Sequence, residues 1–314
     1  MTGSGTNVST GASSTTLAPT GWSSRLLVAG GGRMGEALLV GLLAAGWDPR
    51  RIVVVELSDR RRVELDSAGY TARGVLVVSS VEEAAAAFAG PPHGGHSDGG
   101  HSDGGHSDGG HLGAVIAVKP HDVRSLCAEL KASGVDRVLS IAAGVTLGDL
   151  ESWLAPAAVI RAMANTPALV GAAASAVSRG SSAGDDDVSW ATGVLGAVGS
   201  VVELPEKSLD AVTGLSGSGP AYVFVFVEAL IDAGVYVGLP RPIARDLAVA
   251  TLVGSSKLLD ETGEEPSALR AAVTSPGGTT AAGLRQLERH ALRAAILEAV
   301  VASSERAAEL GRRD

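Results

Sequence analysis

Leu26-Leu27-Val28-Ala29-Gly30-Gly31-Gly32-Arg33-Met34-Gly35 decides the fold of this chain. Four uninterrupted apolar residues read as a buried strand, Leu26 to Ala29. The glycines follow at once as G-x-G-x-x-G, and Arg33 to Ala45 then reads as a helix that ends near Gly46. A glycine pattern by itself is a weak signal. Between a strand and a helix it has a mechanical meaning: Gly30 makes the tight turn, Gly32 admits a pyrophosphate to the backbone, and Gly35 lets helix and sheet pack. Arg33 and Met34 open the helix whose free N–H groups would meet the anion. Gly30, Gly32, Arg33, Met34 and Gly35 are therefore candidate dinucleotide-binding residues.

The alternation continues downstream. Strands are expected at Ile52 to Glu56, Val75 to Val78, Val115 to Val118, Arg137 to Ile141 and Ala158 to Arg161, the last of them. Helices are expected at Asp59 to Ser67, Val81 to Ala89 and Asp122 to Lys131. Repeated units of this kind predict an α/β fold, a Rossmann-type doubly wound parallel sheet with helices on both faces. Around Arg161 to Gly171 the β-branched runs give way to Ala-rich helical stretches at about 185–199, 219–238, 240–262, 265–273, 276–290 and 291–310. Pro220, Pro240, Pro242, Pro266 and Pro276 each stand near a helix start. The expected organisation is a tail at 1–22, a dinucleotide-binding domain at 23–164 and an all-helical substrate-binding and dimerisation domain at 165–314. The helix from Pro220 to Leu239 is apolar on most of its circumference, interrupted by Glu228 and Asp232. Such a helix should be buried, and a subunit interface is the expected cover.

Composition narrows the class. The net charge of −9 argues against nucleic acid and against an anionic membrane surface as partners. Aromatics are 3% of the chain against 45% hydrophobic, so the core must be built from Ala, Val and Leu. The single Cys127 cannot form an internal disulfide and reads as core. No uninterrupted apolar run reaches the ~18–20 residues of a membrane span; the richest, Ala221 to Ile231, is short and carries Glu228. The first basic residue is Arg25, so the Ser-, Thr- and Gly-rich start reads as a disordered tail rather than a signal peptide, and a cytoplasmic location is expected. His93 to His111, built on a five-residue H-S-D-G-G repeat, holds five of the seven His. It reads as an inserted flexible linker whose imidazoles would bind a metal loosely; no metal cofactor is expected.

Further candidates lie at strand ends and helix starts. Glu56 stands about twenty residues beyond Gly35 at the end of the second strand, where a carboxylate takes the ribose diol of NAD. Arg60, Arg61 and Arg62 follow and could instead hold a 2′-phosphate, so the residues leave coenzyme preference open. Val118, Lys119 and Pro120 end another strand at the ligand-binding edge of the sheet, and Ala142 and Ala143 leave room for a nicotinamide ring after the next. Thr213 to Tyr222, with Ser216 at its centre, is a Gly/Ser loop entering a helix. Val273 to Gly283 reads as a helix start, with Ser275 as N-cap and Pro276 in the first helical position. Gly277 and Gly278 in its first turn suggest a guest that approaches the backbone closely, and Thr279 and Thr280 add hydroxyls. A small carboxylate fits such a place. There is no HExxH, paired Cys or P-loop. Hydride transfer without a central His or Lys suits a substrate that is already electrophilic, such as an imine.

From about Arg25 to Leu310 the chain resembles the pyrroline-5-carboxylate reductase family of proline and amino-acid biosynthesis. The resemblance is carried chiefly by Asp210-Ala211-Val212-Thr213-Gly214-Leu215-Ser216-Gly217-Ser218-Gly219-Pro220-Ala221-Tyr222 and Ser275-Pro276-Gly277-Gly278-Thr279-Thr280. Ala117 to Pro120 and Arg161 to Pro167 support it. It implies an oxidoreductase that moves hydride from NADPH, or NADH, to the C=N carbon of 1-pyrroline-5-carboxylate. It implies a helical dimerisation domain, self-association as a dimer or as five dimers, and an active site to which the dimer mate contributes. The substrate carboxylate would sit on the N–H groups around Gly277 to Thr280, Thr280 would hydrogen-bond the ring nitrogen, and Ser275 and Ser216 would join the substrate site. Two departures stand out: Ala164 where bacterial members usually have Pro, and Leu57 where many have Arg. The rivals are another imine or hydroxyacid reductase and a non-catalytic dinucleotide-binding module. Residues 162–206 lack the Lys acid that hydroxyacid reduction normally uses.

Overall fold

The computed structural model describes residues 25–89 and 111–311. The tail and most of the His-rich repeat lie outside the described residues. The described residues form two compact units, one made of residues 25–220 with 299–311, the other of residues 221–298.

The first unit is built on β1 (Arg25–Ala29), β2 (Ile52–Val55), β3 (Leu76–Val78), β4 (Leu112–Ile116), β5 (Arg137–Ser140), β6 (Ala158–Met163), β7 (Ala173–Arg179) and β8 (Gly199–Glu203). Its helices are α1 (Arg33–Ala44), α2 (Asp59–Ser67), α3 (Val81–Ala89), α4 (Val123–Ala132), α5 (Leu147–Leu154), α6 (Asp185–Gly196) and α7 (Leu209–Val212). The strands form one sheet in the order β3-β2-β1-β4-β5-β6-β7-β8. Every pairing is parallel except β6 with β7. The order reverses between β1 and β4, the switch point at which such sheets bind ligands.

The two-residue period of the strands explains the two-sided core. Leu26 and Val28 face one way, with Leu38, Leu39 and Leu42 of α1 and Trp190 and Val194 of α6. Leu27 and Ala29 face the other way, with Val123, Leu126, Cys127 and Leu130 of α4 and Leu147, Leu150 and Leu154 of α5. Cys127 is fully buried, and burial pushes its thiol up to about 11. Gly113 is the one position of β4 where a side chain would collide with Trp190, its Cβ falling 2.5 Å from the indole. The Arg137 guanidinium lies over the same ring, 4.8 Å from its centroid.

Three expectations are corrected here. Strand β4 runs from Leu112 to Ile116 rather than from Val115 to Val118, because its pairing with β1 begins at Arg25 opposite Leu112. Helix α5 was not anticipated, although Thr146 and Asp149 close a capping box at its start. Ala158 to Arg161 is not the last strand: β7 and β8 extend the sheet beyond residue 165. β7 is Ala- and Ser-rich, and β8 is short, opens on Gly-Ser and is half to fully exposed, so the usual β-branched signal is thin.

The second unit holds most of α8 (Gly219–Tyr236), α9 (Arg241–Thr262), α10 (Pro266–Ala272), α11 (Thr279–Arg289) and the first part of α12 (Leu292–Gly311). Its internal core is small, centred on Ile231, Ala244 and Ala248. In one protomer α8 presents Phe224 and Val225 at 63% and 65% exposure. Ile243, Leu247 and Val253 of α9 and Ile296 and Leu297 of α12 are exposed as well. A row of large apolar residues on several helices is what a subunit interface leaves bare in one protomer. The helical stretch Glu206–Tyr236 is also long and apolar enough to cross a membrane by length and composition, with mean hydropathy 1.4. The expectation of no such segment rested on uninterrupted apolar runs, which Asp210, the Gly/Ser turn, Glu228 and Asp232 break.

Candidate active site

A cavity of about 390 Å³ opens at the carboxyl ends of β1, β4 and β5. It gathers Gly32, Arg33 and Met34 after β1, Ala117 to Pro120 after β4, and Ile141 to Ala143 after β5, with Ala164. Eight of the candidate coenzyme residues therefore meet in one place: Gly32, Arg33, Met34, Val118, Lys119, Pro120, Ala142 and Ala143. Ala117, Ile141 and Ala164 join them; each directly adjoins a residue already singled out.

Gly30 and Gly35 do not line the cavity but shape its floor. Gly30 has φ +107°, and a Cβ on it would lie 2.7 Å from the Ala117 carbonyl oxygen. A Cβ on Gly35 would come within 1.9 Å of the Gly30 carbonyl oxygen. Around Gly32 there is open space instead, with nothing within 4 Å of a Cβ. Gly32 is also the N-cap of α1 and supplies no side-chain cap; the first intrahelical bond is Glu36 N–H to Gly32 C=O at 2.9 Å. The N–H groups of the first turn thus lack intrahelical acceptors and open toward the cavity mouth. Arg33 and Lys119 are exposed there and form no ion pair among the described residues. Uncapped N–H groups, two cations and a glycine with free space fit the pyrophosphate of a dinucleotide.

Glu56 also has a role within the chain. One carboxylate oxygen accepts from Gly31 N–H at 2.9 Å, and the other accepts from Ser58 N–H at 2.9 Å. The carboxylate is thus a staple between β2 and the glycine loop. The three arginines are not one cluster. Arg61 donates to the Gly31 carbonyl at 2.7 Å and pairs with Glu36 and Glu64. Arg62 donates to the carbonyls of Glu56 and Leu57, at 2.7 and 2.9 Å, and pairs with Asp59. Their side chains are 24% and 25% exposed, whereas Arg60 is 88% exposed and, among the described residues, pairs only with Glu64 on its own helix. Of the three, only Arg60 is placed to meet a ligand without dismantling the frame.

A smaller cavity, about 50 Å³, shares Ala142 and Ala143 with the first and adds Arg161, Asp210 and Thr213. Thr213 opens a π-helical turn, Thr213–Gly217, that carries Ser216. Such turns recur at functional sites. The Ser216 hydroxyl donates to the Val212 carbonyl at 3.1 Å, and the Ser216 carbonyl accepts from the Asn165 amide at 2.9 Å.

Ser275, Gly277, Gly278, Thr279 and Thr280 belong to the helical unit. Their local geometry corrects the expected cap. Ser275 is not the N-cap and Pro276 is not helical: α11 starts at Thr279, with Gly278 as N-cap. Ser275 to Gly278 instead form a tight turn, closed by Gly278 N–H to Ser275 C=O at 3.0 Å. Gly277 turns at φ +70°, and a Cβ on Gly278 would fall 2.4 Å from the Ser275 hydroxyl. The glycines therefore serve the turn. Among the described residues no side chain caps α11, and its first intrahelical bond is Ala282 N–H to Gly278 C=O, so the N–H groups of Thr279 and Thr280 stand uncapped beside their hydroxyls.

Residues 206–310 match the family profile described as pyrroline-5-carboxylate reductase dimerisation. A pyrroline-5-carboxylate reductase of Arabidopsis thaliana is 39% identical over 284 residues, covering 90% of this chain and 93% of its own. One from Synechocystis sp. is 41% identical over 292 residues, covering 92% of this chain and 99% of its own. Among solved structures, a pyrroline-5-carboxylate reductase from Coxiella burnetii superposes with a TM-score of 0.79 at 33% identity, covering 93% of this chain and all of its own. Plasmodium falciparum pyrroline carboxylate reductase, solved with NADP bound, gives 0.72 at 28% identity over 91% of this chain and 98% of its own. Both the helices that bear the exposed apolar face and the sheet that bears the cavity are thus shared along nearly the whole length, and the chain belongs to the pyrroline-5-carboxylate reductase family.

Proposed function

We propose that this chain reduces the C=N bond of 1-pyrroline-5-carboxylate to give L-proline, with NADPH as the preferred coenzyme and NADH as the alternative. The observation that carries the reading is the cavity at the β1/β4 switch point, lined by an uncapped helix start and by Arg33 and Lys119. The coenzyme, when bound, supplies the hydride. Gly32, Arg33 and Met34 hold its pyrophosphate through backbone N–H groups; Gly30 and Gly35 keep the loop in shape. Val118, Lys119, Pro120, Ala142 and Ala143 form the wall, and Glu56 orders the loop. In functional terms the coenzyme residues all precede residue 165, and the substrate residues follow it.

For the substrate, the N–H groups from Gly277 to Thr280 bind the carboxylate, with Ser275 bracing their turn and Ser216 as a further contact. The ring nitrogen is bonded to the carbon that bears the carboxylate, so it lies within reach of the first helical turn. The Thr280 hydroxyl orients that nitrogen and passes it a proton from water as it becomes an amine. The chain self-associates through its helical region. As parts of the same proposal, the assembly is a dimer or five dimers, it lies in the cytoplasm, and it engages neither membrane nor nucleic acid. Initial rates with synthetic 1-pyrroline-5-carboxylate and each coenzyme, with proline measured as product, test the reading. Substrate-dependent coenzyme oxidation is expected, and no turnover with either coenzyme overturns it.

A further inference from the structure

The Ser216 carbonyl lies in a helix whose next turn contains Pro220. In a regular α-helix that carbonyl would accept from the N–H four residues on, and a proline has none. The chain widens there into the π turn, with Ser218 N–H donating to Thr213 C=O at 2.8 Å. Asn165, 8% exposed, reaches the same point from the end of β6. Its Nδ2 donates to the Ser216 carbonyl at 2.9 Å, and its Oδ1 accepts from Ala174 N–H at 2.9 Å. One partner is an acceptor and the other a donor, so only one orientation of the amide satisfies both. On another side, the turn rests against α12. A Cβ on Gly214 would meet the Val300 carbonyl oxygen at 2.6 Å, and the hydroxyls of Ser218 and Ser303 lie 2.8 Å apart.

We propose that Asn165 is a positioning residue for the substrate site: its amide stands in for the N–H that Pro220 lacks and thereby fixes the π turn that presents Ser216. The proposal rests on the assignment of Ser216 to substrate binding. Asn165 touches neither coenzyme nor substrate in this scheme. It links the start of β7 to the turn, so that the backbone around Ser216 is set by the sheet and not by the helix alone.

The test uses Asn165→Asp, which keeps the acceptor for Ala174 but places an oxygen against the Ser216 carbonyl. KM for 1-pyrroline-5-carboxylate should rise about tenfold, equivalent to about 1.4 kcal/mol, with the coenzyme Kd unchanged. Adding Pro220→Ala to Asn165→Asp restores an N–H at position 220 and should recover most of the lost KM; this double variant also guards against a fold too weak to assay. Ser216→Ala gauges the underlying assignment. A raised KM in Ser216→Ala with an unchanged KM in Asn165→Asp overturns the positioning role and leaves Ser216 in the site. Unchanged KM in both removes Ser216 from the site and the proposal with it. A lowered Tm with parallel loss of coenzyme and substrate affinity, unrelieved by Pro220→Ala, means that Asn165 is only structural.

Discussion

Replacing Glu56 with Ala separates two jobs that the same carboxylate could do. If it mainly takes the ribose diol, its removal weakens NADH and relieves repulsion against the 2′-phosphate of NADPH. The geometry argues for the other job. Its two oxygens accept from Gly31 and Ser58 N–H, both at 2.9 Å, while Arg61 holds the Gly31 carbonyl at 2.7 Å. The Gly31 peptide is therefore clamped at both its N–H and its C=O. The Ser58 N–H is exposed and finds water when the carboxylate is gone, at little cost. Gly31 is buried, and its N–H is left without an acceptor. An orphaned buried donor costs about 1–3 kcal/mol. Glu56 is only half buried, so we take the lower part of that range, about 1.4 kcal/mol, or about tenfold in Kd. The loss falls on the loop that meets the pyrophosphate, which NADH and NADPH share. Glu56→Ala should therefore weaken both coenzymes about tenfold by equilibrium titration, and Glu56→Gln, which keeps one acceptor, by less. Tighter NADPH binding in Glu56→Ala, together with weaker NADH, would refute the reasoning.

Thr280→Ala should lower turnover by about 10²-fold, near the lower end for a positioned proton-transfer group, with coenzyme titration unchanged and most activity regained in Thr280→Ser; wild-type turnover in Thr280→Ala removes the hydroxyl from the mechanism. Phe224→Asp puts a charge on the bare face of α8, where Phe224 is 63% exposed in one protomer. Sedimentation should shift toward the monomer, and an unchanged assembly would place the interface elsewhere. Cys127 is fully buried and its thiol is raised to about 11. Since the thiolate is the reacting form, a maleimide at about pH 8 should label the native protein far more slowly than the unfolded chain. Equal rates would show that α4 opens readily.

Much of the coenzyme half was legible because its signals are local. A buried strand, a glycine loop and a helix start follow one another from Leu26 to Gly35, and a strand buried on both faces is apolar at every position. The spacing also singles out Glu56 at the end of the second strand. It could not indicate that the carboxylate would be spent on Gly31 and Ser58, because that depends on the distance between β2 and the loop in space. The arginines divide for the same reason. Successive helical positions point about 100° apart, so Arg61 and Arg62 turn toward the frame and Arg60 toward solvent. Strands β7 and β8 escaped notice because Ala, Ser and Gly carry weak β preference, and the neighbouring sheet edge supplied what propensity lacked.

The two glycine-bearing substrate segments show where local reading stops. At Ser275 to Gly278 the sequence alone suggests room for a guest within a helix already begun. The structure spends them on the turn before the helix, since Gly277 needs φ +70° and Gly278 has no room for a Cβ beside Ser275. The consequence for chemistry is nonetheless the same kind of place: a helix start whose first N–H groups no described side chain caps, now at Thr279 and Thr280. At Thr213 to Pro220 the sequence did hold the missing clue. Pro220 removes one donor from a helix, and a buried carbonyl deprived of its donor must find another. What cannot be read from the segment is which residue supplies it. Asn165 lies 51 positions earlier, and only the return of the chain past β6 and β7 brings its amide to Ser216. Local chemistry thus states the debt of each segment, and the sheet determines which distant side chain meets it.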